Sequence, residues 1–406
     1  MAFEVKKLSE VCRLINGRAY KKPEMLQEGK YPLLRVGNFF SNRAWYYSDL
    51  ELNEDKYCDD GDLLYAWSAS FGPRIWDGGK VIYHYHIWKI ELDEALVDKG
   101  YLFHLLDWDT EQIKSEQGTG STMMHVTKGS MENRRLPFPL IPEQKRIVAI
   151  LDQTFADIEL ARAKTEQNLK NARELFDSYL HQVFGQLGDD CELRSMSDKT
   201  MLTMIDGDRG KNYPKKSEFQ SEGHCLFLST KNVRPDGFLF ERTMFIDEAR
   251  DNLLRKGKLA RNDVILTTRG TIGNLALFDE TVEYENIRIN SGMLILRPNT
   301  EVILPSYLFE IMRSGIVRRQ IEAKVSGAAQ PQLPVNTLNT FSFPVPVSLD
   351  GQQRVVGLIR EAEVAINELS NIYTKKLASL DELKKSILQK AFSGELTKDD
   401  NKEAAA

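Results

Sequence analysis

A loop in the second half of the chain carries side chains suited to hydrogen-bonding the edges of nucleic-acid bases. The loop TTRGTIG follows a predicted strand and combines one arginine with several hydroxyl groups. Arginine pairs best with guanine and side-chain amides pair best with adenine, while Gly270 and Gly273 would let a ligand approach the backbone closely. The candidate contact residues are Thr267, Thr268, Arg269 and Thr271, with Lys231 and Asn232 at a neighbouring strand end and Gln330 and Gln332 in the loop SGAAQPQ.

The matching loop in the first half, AWSASFGPR, offers different side chains. It has no arginine at the place of Arg269, so we expect the two loops to recognise different chemical groups. Its candidate contact residues are Trp67, Ser68, Ser70 and Arg74, joined by Arg35, Asn38, Ser121, His125 and Lys128. The alternative interpretation is structural: the glycines only form a turn, Arg269 is solvated and Trp67 belongs to a core.

The net charge of −5 does not by itself favour an anionic partner. Much of the acid, however, falls in two long predicted helices and in the tail, and the distribution of charge matters more than its total for phosphate binding. One basic run contributes further candidate contacts, Arg209, Lys211, Lys215 and Lys216. Two more basic runs occupy residues 255–261 and 313–319. A solvated face is the alternative interpretation of each run.

Motifs for catalysis or cofactor binding are missing from the sequence. It contains neither the Asp/Asn-Pro-Pro-Tyr/Phe string of adenine methyltransferases nor a GxxxxGK[ST] phosphate loop, and its GTG cluster at residues 118–120 lacks a strand–turn–helix context. His84 and His86 alternate along a predicted strand, but no third metal ligand is evident. We therefore expect that this chain has no catalytic residue and binds no metal and no cofactor.

The cysteines are widely spaced. Cys12, Cys58, Cys191 and Cys225 form no CxxC pair, which is typical of reduced thiols in a cytosolic protein. The N-terminal segment lacks the apolar region of a secretion signal, and no apolar run approaches the roughly 20 residues of a membrane span. The sequence therefore predicts a cytoplasmic protein without a membrane partner.

Two near-copies of one long segment, residues 142–185 and 350–394, organise the chain. Each has a proline-rich lead-in, the string Q-x-R-[IV]-V and apolar residues at three- and four-residue steps, which predicts one long helix with a single apolar stripe. Pro142 suits a first helical turn, while Gly185 and Gly394 suit a C-terminal stop. We expect the two stripes to pack against each other as an antiparallel coiled coil.

The segments outside these helices share an order of landmarks, so the chain repeats as globule, helix, globule, helix. GDLLYAWSASFG matches NDVILTTRGTIG, and LVDKGYLFHLL matches ILPSYLFEIM. The pattern predicts an α/β (mixed α+β) fold with a pseudo-two-fold internal repeat. YPLLRVGNF and VIYHYHIWKIEL each predict one strand, and PSYLFEIMRSGIVRRQIEAK predicts one helical segment. The predicted boundaries are 1–140 and 188–346 for the globular domains, 141–187 and 347–396 for the helices, and 397–406 for a flexible tail.

The chain resembles the specificity subunits of type I restriction–modification systems over nearly its whole length. The most specific features are the repeated lead-in with Q-x-R-[IV]-V and the closing string LKKSILQKAFSGEL. The resemblance implies two target-recognition domains, each reading one half of a split, asymmetric double-stranded DNA sequence, with the polar residues named above as candidate DNA contacts. It also implies that this subunit does no chemistry. Two modification subunits would bring S-adenosylmethionine and methylate an adenine in each half-site, and restriction subunits would supply the motor and nuclease.

Two other functions remain open on the sequence. One is the recognition subunit of a restriction enzyme that cuts on both sides of its site, which the same features would fit. The other is a coiled-coil adaptor whose globules bind protein rather than DNA. Salt-dependent DNA binding by the assembled complex separates the adaptor from the DNA readers.

Overall fold

The chain forms two compact units. The computed structural model describes residues 3–41, 43–68, 72–117, 125–188, 190–235, 237–325 and 332–398. Unit 1 comprises Met1–Glu166 and Lys375–Ala406, and unit 2 comprises Gln167–Thr374. Each unit therefore contains one globular segment and part of both long helices.

Unit 1 mixes short strands with helices. In chain order its strands are β1 (Val5–Lys7), β2 (Cys12–Asn16), β3 (Tyr31–Leu34), β4 (Tyr46–Ser48), β5 (Tyr57–Cys58), β6 (Leu63–Ala66), β7 (Gly72–Ile75), β8 (Val81–Tyr83), β9 (Ile87–Leu92) and β10 (Arg135–Pro137). Its helices are α1 (Val36–Phe40), α2 (Lys99–Gln117), α3 (Lys128–Glu132), the first part of α4 (Ile141–Gly185) and the last part of α9 (Leu349–Ser393).

Unit 1 contains two four-stranded sheets of different types. An antiparallel sheet has the order β2-β9-β6-β7, and a mixed sheet has the order β4-β3-β8-β5, with β3 and β8 parallel. The antiparallel sheet packs on α2, because Tyr65 and Trp88 share a buried cluster with Leu102 and Leu105. A ribbon of β1 and β10 leads the chain into α4.

Unit 2 contains the corresponding elements. Its strands are β11 (Cys191–Ser195), β12 (Leu202–Asp206), β13 (Cys225–Leu228), β14 (Val233–Arg234), β15 (Gly237–Phe238), β16 (Phe245–Ile246), β17 (Val264–Thr267), β18 (Leu275–Leu277), β19 (Ile287–Ile289), β20 (Met293–Pro298) and β21 (Ser342–Pro346). Its helices are the last part of α4, α5 (Glu248–Leu253), α6 (Pro305–Arg313), α7 (Gly315–Val325), α8 (Val335–Leu338) and the first part of α9 (Leu349–Ser393).

The strand pairing of unit 2 repeats that of unit 1. An antiparallel sheet has the order β12-β20-β17-β18, a mixed sheet has the order β16-β13-β19 with β13 and β19 parallel, and β11 pairs with β21. A buried tyrosine marks the same place in both units. Tyr101 donates to the Pro137 carbonyl at 2.9 Å, and Tyr307 donates to the Pro344 carbonyl at 2.8 Å. The mixed α/β class predicted from the sequence is confirmed, and the repeat extends to strand order.

Within each unit the segments of α4 and α9 run antiparallel. In unit 1, Leu151 shares a buried cluster with Leu388, while Arg162, farther along α4, pairs with Asp381, which is earlier in α9. Unit 2 continues this pattern, with later residues of α4 packed among earlier residues of α9, namely Leu180 and Phe184 among Val355, Val356 and Ile359. The two long helices are confirmed, and Gly394 follows α9 with a φ of +75°, as a C-terminal stop requires.

A buried glutamine accounts for the repeated Q-x-R-[IV]-V string. Gln144 and Gln352 are both fully buried in the first turns of the long helices. Each side-chain amide donates to two backbone carbonyls and accepts from one backbone N–H, and the partners are Leu96, Pro139 and Asp98 for Gln144, and Val302, Pro346 and Leu304 for Gln352. Leaving such buried groups unpaired costs about 1–3 kcal/mol each, so this glutamine fixes each helix start to its globule.

Three predicted elements are wrong in their extent. β3 is followed by α1 instead of continuing as a strand. VIYHYHIWKIEL forms β8 and β9 in different sheets, because the chain turns after Tyr83 and the Ile87 N–H donates to the His84 carbonyl at 2.9 Å. The helical segment that begins at Pro305 breaks at Ser314, whose extended backbone (φ −69°, ψ 160°) separates α6 from α7.

Candidate nucleic-acid interface

The loop after β17 is held by its own hydroxyl and glycine residues. The Thr267 hydroxyl donates to the Thr271 carbonyl at 2.5 Å and accepts from the Asn274 N–H at 3.0 Å. Gly270 has a φ of +74°, in the region that favours glycine. The loop therefore presents Arg269 from a backbone that is fixed on both sides.

Backbone pairing joins this loop to the segment before α8. Arg269 and Gln332 form an isolated antiparallel β-bridge, the Leu333 N–H donates to the Thr268 carbonyl at 3.0 Å, and the Thr268 N–H donates to the Gly292 carbonyl at 2.8 Å. A cavity of about 220 Å³ beside the bridge is lined by Asp206, Arg209, Thr268, Arg269, Leu294, Gln332, Leu333, Pro334, Val335 and Asn336. Two guanidinium groups and two side-chain amides thus line one cavity, and these groups discriminate guanine and adenine best.

The two arginines of this cavity differ in how they are held. Arg209 lies 3.3 Å from Asp206 in a pair that is about half exposed, so the attraction is weak. Arg269 is partly buried, and its guanidinium makes no hydrogen bond or ion pair with another described residue. Both side chains are therefore able to engage a ligand.

Basic side chains line two further cavities next to the loop. The first, of about 370 Å³, is lined by Asp206, Gly207, Asp208, Arg209, Lys211, Asn212, Arg255 and Lys256. The second, of about 780 Å³, is lined by Ser229, Thr230, Lys231, Asn232, Arg234, Leu239, Glu241, Arg242, Met244, Gly270 and Thr271. Cations outnumber carboxylates in both, so each cavity suits an anion such as a phosphate group.

Asp208 organises the first of these basic cavities. Its carboxylate accepts from the Arg255 N–H at 2.6 Å and from the Arg209 N–H at 2.7 Å. Burial acts to raise the pKa of Asp208, but the backbone hydrogen bonds outweigh it and hold the pKa below its usual range. A charged carboxylate thus fixes the backbone of two basic residues whose side chains line the cavity.

Unit 1 has the same backbone arrangement. Ser68 and His125 form an isolated antiparallel β-bridge, the Val126 N–H donates to the Trp67 carbonyl at 3.1 Å, and the Trp67 N–H donates to the His86 carbonyl at 3.0 Å. These contacts correspond one for one to those around Arg269. Trp67 and Ser68, which open the first loop, therefore have the same backbone pairing as Thr268 and Arg269 in the second.

Aromatic and imidazole rings surround the bridge of unit 1. The Trp67 ring lies 4.9 Å from that of His86 and 5.9 Å from that of Tyr85, centroid to centroid, and its indole N–H donates to the Tyr85 carbonyl at 2.8 Å. Burial, the neighbouring His86 and the charge of Arg35 lower the pKa of His84 to about 4. Burial and Arg35 also lower the pKa of His86. Both imidazoles are therefore neutral at pH 7.

Most predicted contact residues of unit 2 line the three cavities. Seven of these cavity-lining residues have side chains with unused hydrogen-bonding capacity: Arg209, Lys211, Lys231, Thr268, Arg269, Thr271 and Gln332. Lys215 and Lys216 are exposed at a 3₁₀ turn and line none of these cavities. Gln330 lies outside the described residues.

Two predicted contact residues of unit 2 have structural roles instead. The buried Asn232 side chain accepts from the Ser229 N–H at 2.9 Å and donates to the carbonyls of Leu239 and Arg242 at 3.0 and 2.8 Å. The Thr267 side chain is fully buried, and its hydroxyl is used within the loop. The structure thus argues against a base contact for either residue.

In unit 1 the predicted residues separate into two groups. Trp67, Ser68 and His125 lie at the bridge, whereas Asn38 and Arg74 are bound inside the unit. Asn38 donates to the Arg43 carbonyl at 2.8 Å. Arg74 donates to the Phe39 carbonyl at 2.6 Å and to Asp77 at 2.8 Å, which argues against its role as a reader of bases. Arg35 lies over the Tyr46 ring, Lys128 lies 3.5 Å from Glu132, and Ser70 and Ser121 are outside the described residues.

Sequence reasoning missed several residues of these surfaces. They are Arg234, Arg242 and Asn336 in unit 2, and Tyr85 and His86 in unit 1. Arg255 and Lys256 belong to the predicted basic run at residues 255–261 but were not among the candidate contacts. A signal for Tyr85 and His86 was present, because aligning the segment that joins β8 to β9 with the one that joins β19 to β20 places His86 on Gly292, next to the bridge. No such alignment identifies Asn336, whose position depends on how α8 packs.

Across the described ranges, no cluster of three or more histidine, cysteine, aspartate or glutamate side chains could hold a metal ion. Within the same residues, no helix has both the length and the apolar character needed to cross a membrane.

Comparison with known proteins identifies close counterparts of this architecture. The family model of the type I restriction modification DNA specificity domain matches residues 2–171. The type I restriction enzyme EcoBI specificity subunit of Escherichia coli is 23% identical over 417 residues, covering 96% of this chain and 85% of that protein. The MjaVIII specificity subunit of Methanocaldococcus jannaschii is 26% identical over 419 residues, covering 97% of this chain and 93% of that protein.

Solved structures share the fold. A chain from a type I R-M system, solved to explain complex assembly and conformational transition, superposes with a TM-score of 0.72 at 19% identity, covering 97% of this chain and 98% of that chain. The HsdS subunit of Thermoanaerobacter tengcongensis superposes with a TM-score of 0.54 at 19% identity, with 97% of each chain covered. The domain match over residues 2–171 and the near full-length relatives thus show that the chain is similar to type I restriction–modification specificity subunits.

Proposed function

We propose that this chain is the DNA-reading subunit of a type I restriction–modification complex, with each unit reading one half of a bipartite, asymmetric double-stranded target. The observation that carries the proposal is the β-bridge that occurs once in each unit, Arg269 with Gln332 and Ser68 with His125. Sequence information lies in the donors, acceptors and methyl groups of base edges. One backbone arrangement with different side chains is therefore what two readers of different half-sites require.

Phosphate groups would bind in the two basic cavities next to the loop of unit 2. Phosphate contacts position a protein on DNA and make its affinity depend on salt. The net charge of −5 does not oppose this, because screening limits the reach of exposed carboxylates to about 10 Å at 0.1 M salt. The local balance of each cavity, in which Lys211, Arg255, Lys231 and Arg242 take part, decides the binding.

The chain acts without catalysis in this proposal. Two modification subunits hold S-adenosylmethionine and methylate an adenine in each half-site, and restriction subunits join them for cleavage. The long helices dock the modification subunits and set the spacer between the half-sites. Five apolar residues of these helices are each 48–70% exposed, and such apolar surface suits docking of a partner. They are Leu160, Leu175, Leu358, Val364 and Ile372.

We expect the purified complex to contain two modification subunits per specificity chain, because exposed apolar residues occur on the helices of both units. Light scattering of the co-expressed complex measures this ratio. Ile372→Glu should weaken assembly, whereas Asn371→Glu adds the same charge beside it without removing an apolar side chain and should assemble normally. A stable one-to-one complex of the unmodified chain, or no complex, would contradict the proposal.

Replacing Arg269 with alanine is expected to relax one position of one half-site and to cost about 1–3 kcal/mol of binding to the preferred sequence, because a bidentate contact to guanine is lost. The measurement is the affinity of the assembled complex for duplexes in which each base pair is substituted in turn. Lys211→Ala, in one of the basic cavities, is the control. Loss of its phosphate contact should weaken binding on every sequence and lower the salt slope by about one.

Two outcomes of this experiment have different meanings. An unchanged base preference in Arg269→Ala would remove Arg269 from the reading surface. DNA binding by the unmodified complex that showed no sequence preference would contradict the proposed function itself.

A further inference from the structure

The two β-bridges allow the reading surfaces of the units to be compared position by position. β2 and β12 are each followed by a glycine that lies against the turn after β8 or β19. A Cβ on Gly17 would overlap the His84 carbonyl, and one on Gly207 would overlap the Asn290 carbonyl. Counting from these glycines and from the bridges pairs Ala19 with Arg209, Trp67 with Thr268, Ser68 with Arg269, Tyr85 with Ser291, and His86 with Gly292.

The side chains at these five equivalent positions differ in chemical type between the two units. Both arginines of the unit 2 cavity are replaced in unit 1, Arg209 by Ala19 and Arg269 by Ser68. The rings of unit 1 stand instead where unit 2 has small residues. Tyr85, which is 38% exposed, has its ring centroid 3.9 Å from that of His86.

The two arginines near the bridge of unit 1 have other neighbours, and neither stands at the position of Arg269. Arg18 makes two hydrogen bonds to Glu24, at 2.7 and 3.2 Å. Arg35 lies 5.3 Å from the centroid of the Tyr46 ring. The indole N–H of Trp67 is also used, on the Tyr85 carbonyl. Among the described residues, the surface beside the Ser68 bridge is therefore formed mainly by tilted and edge-on rings. It offers apolar ring surface to a methyl group and places no guanidinium at the position of Arg269.

We propose that unit 1 reads an A·T pair through ring contact with the thymine methyl group at the position where unit 2 reads a G·C pair through Arg269. The inference rests on the proposed DNA-reading function and adds to it the chemical class of base pair read by each unit. The thymine C5-methyl group is the apolar feature that distinguishes A·T from G·C pairs in the major groove. Tyr85 supplies the most exposed ring of the set.

The test uses the complete complex with its modification subunits and a pool of randomised DNA duplexes, from which bound molecules are sequenced. The half-site altered by Arg269→Ala belongs to unit 2, so the other half-site belongs to unit 1. Ser68→Arg places a guanidinium at the bridge of unit 1, and it should turn one A·T preference into a G·C preference. The expected discrimination is about 5- to 150-fold, as for a good arginine–guanine contact. Ser9→Arg, the matched control, adds the same guanidinium at an exposed serine outside the bridge and should leave the preference unchanged.

A second pair of variants tests the ring contact without adding a charge. Tyr85→Ser should abolish the preference for A·T at that position, whereas Tyr85→Phe retains the ring and should keep the preference. In every variant the half-site of unit 2 serves as an internal control for folding and assembly. A G·C preference at that position in the unmodified complex, or a Tyr85→Ser pool identical to that of the unmodified complex, would overturn the inference. Sequence-independent binding by the unmodified complex would instead overturn the proposed function.

Discussion

Replacing Arg313 with alanine is expected to destabilise unit 2 by about 3–5 kcal/mol, because a buried carboxylate would lose its cation. Glu310 of α6 is only 4% exposed. Arg313 donates to Glu310 at 2.5 Å and to Glu363 of α9 at 2.8 Å. Its guanidinium also lies 5.3 Å from the ring centroids of Phe176 in α4 and Phe309 in α6. One side chain thus connects α6 with both long helices.

The pH dependence of this loss has a definite sign. Burial raises the pKa of Glu310, and Arg313 offsets part of that rise. Without Arg313 the folded-state pKa of Glu310 lies further above its unfolded value, so the folded protein binds more protons than the unfolded chain in this range. The deficit of the variant relative to the unmodified protein is therefore full at high pH and shrinks as the pH falls through the raised pKa. Adding Glu310→Gln should recover part of the stability at neutral pH.

The measurement must distinguish the two units. All five tryptophans, Trp45, Trp67, Trp76, Trp88 and Trp108, lie in unit 1, so tryptophan fluorescence reports on that unit alone. Amide hydrogen exchange in peptides from α6 and β20 follows unit 2 in the full chain. Arg318→Ala is the matched control, because Arg318 and Asp177 form an exposed pair at 3.2 Å that contributes at most about 1 kcal/mol. Equal losses in the two variants would contradict the buried-pair argument.

Unit 1 has a different polar pair at the position that Glu310 and Arg313 occupy in unit 2. His104, three residues after Tyr101, occupies the position that Glu310 has after Tyr307, and its ring nitrogen lies 2.8 Å from Asp152 of α4. The aromatic anchor is thus repeated between the units, while the polar group beside it is exchanged. Repeated apolar positions are visible from sequence, but the choice of ionic partner depends on which side chains face each other after folding.

Hydrophobic periodicity predicted α4 and α9 because their apolar stripes continue over many turns and end at punctuating residues such as Gly394. The connection from β8 to β9 was not predictable in this way. His84, Tyr85 and His86 include neither glycine nor proline, and alternation of side chains continues through the turn. The break arises because the chain leaves the sheet of β8, in which the His84 N–H still donates to the Leu34 carbonyl at 2.9 Å, and then enters the sheet of β9. Tertiary pairing of this kind has no local signature.

The loops of the candidate site were predictable, whereas the availability of individual side chains was not. The position of TTRGTIG after a strand and the presence of Gly270 and Gly273 indicated a tight loop with exposed donors. Asn232 was equally polar, yet its amide is used by carbonyls that the next hairpin brings to it. A polar residue at a strand end can serve a ligand or a turn, and only the folded backbone decides between them.

Lengthening both long helices by four residues at the boundary between the units is expected to lengthen the spacer of the DNA target by one to two base pairs. The boundary falls between Glu166 and Gln167 in α4 and between Thr374 and Lys375 in α9. Four helical residues add about 6 Å, and B-DNA rises about 3.4 Å per base pair. Both helices must be extended, because their segments are paired within each unit and an insertion in α4 alone would displace its partners along α9.

The phase of the apolar stripe provides the control for this experiment. Four residues turn a helix by about 400°, which returns the stripe to within about 40° of its original direction, whereas two residues turn it by about 200° and direct it away from its partner. The four-residue variant should therefore assemble with the modification subunits, and the two-residue variant should not. Mapping methylated adenines in cells that express the four-residue variant reveals its target. Because the loops at Ser68 and Arg269 are unchanged, both half-site sequences should persist across a longer spacer. An active variant that kept the original spacer would show that the helices do not determine the separation of the half-sites.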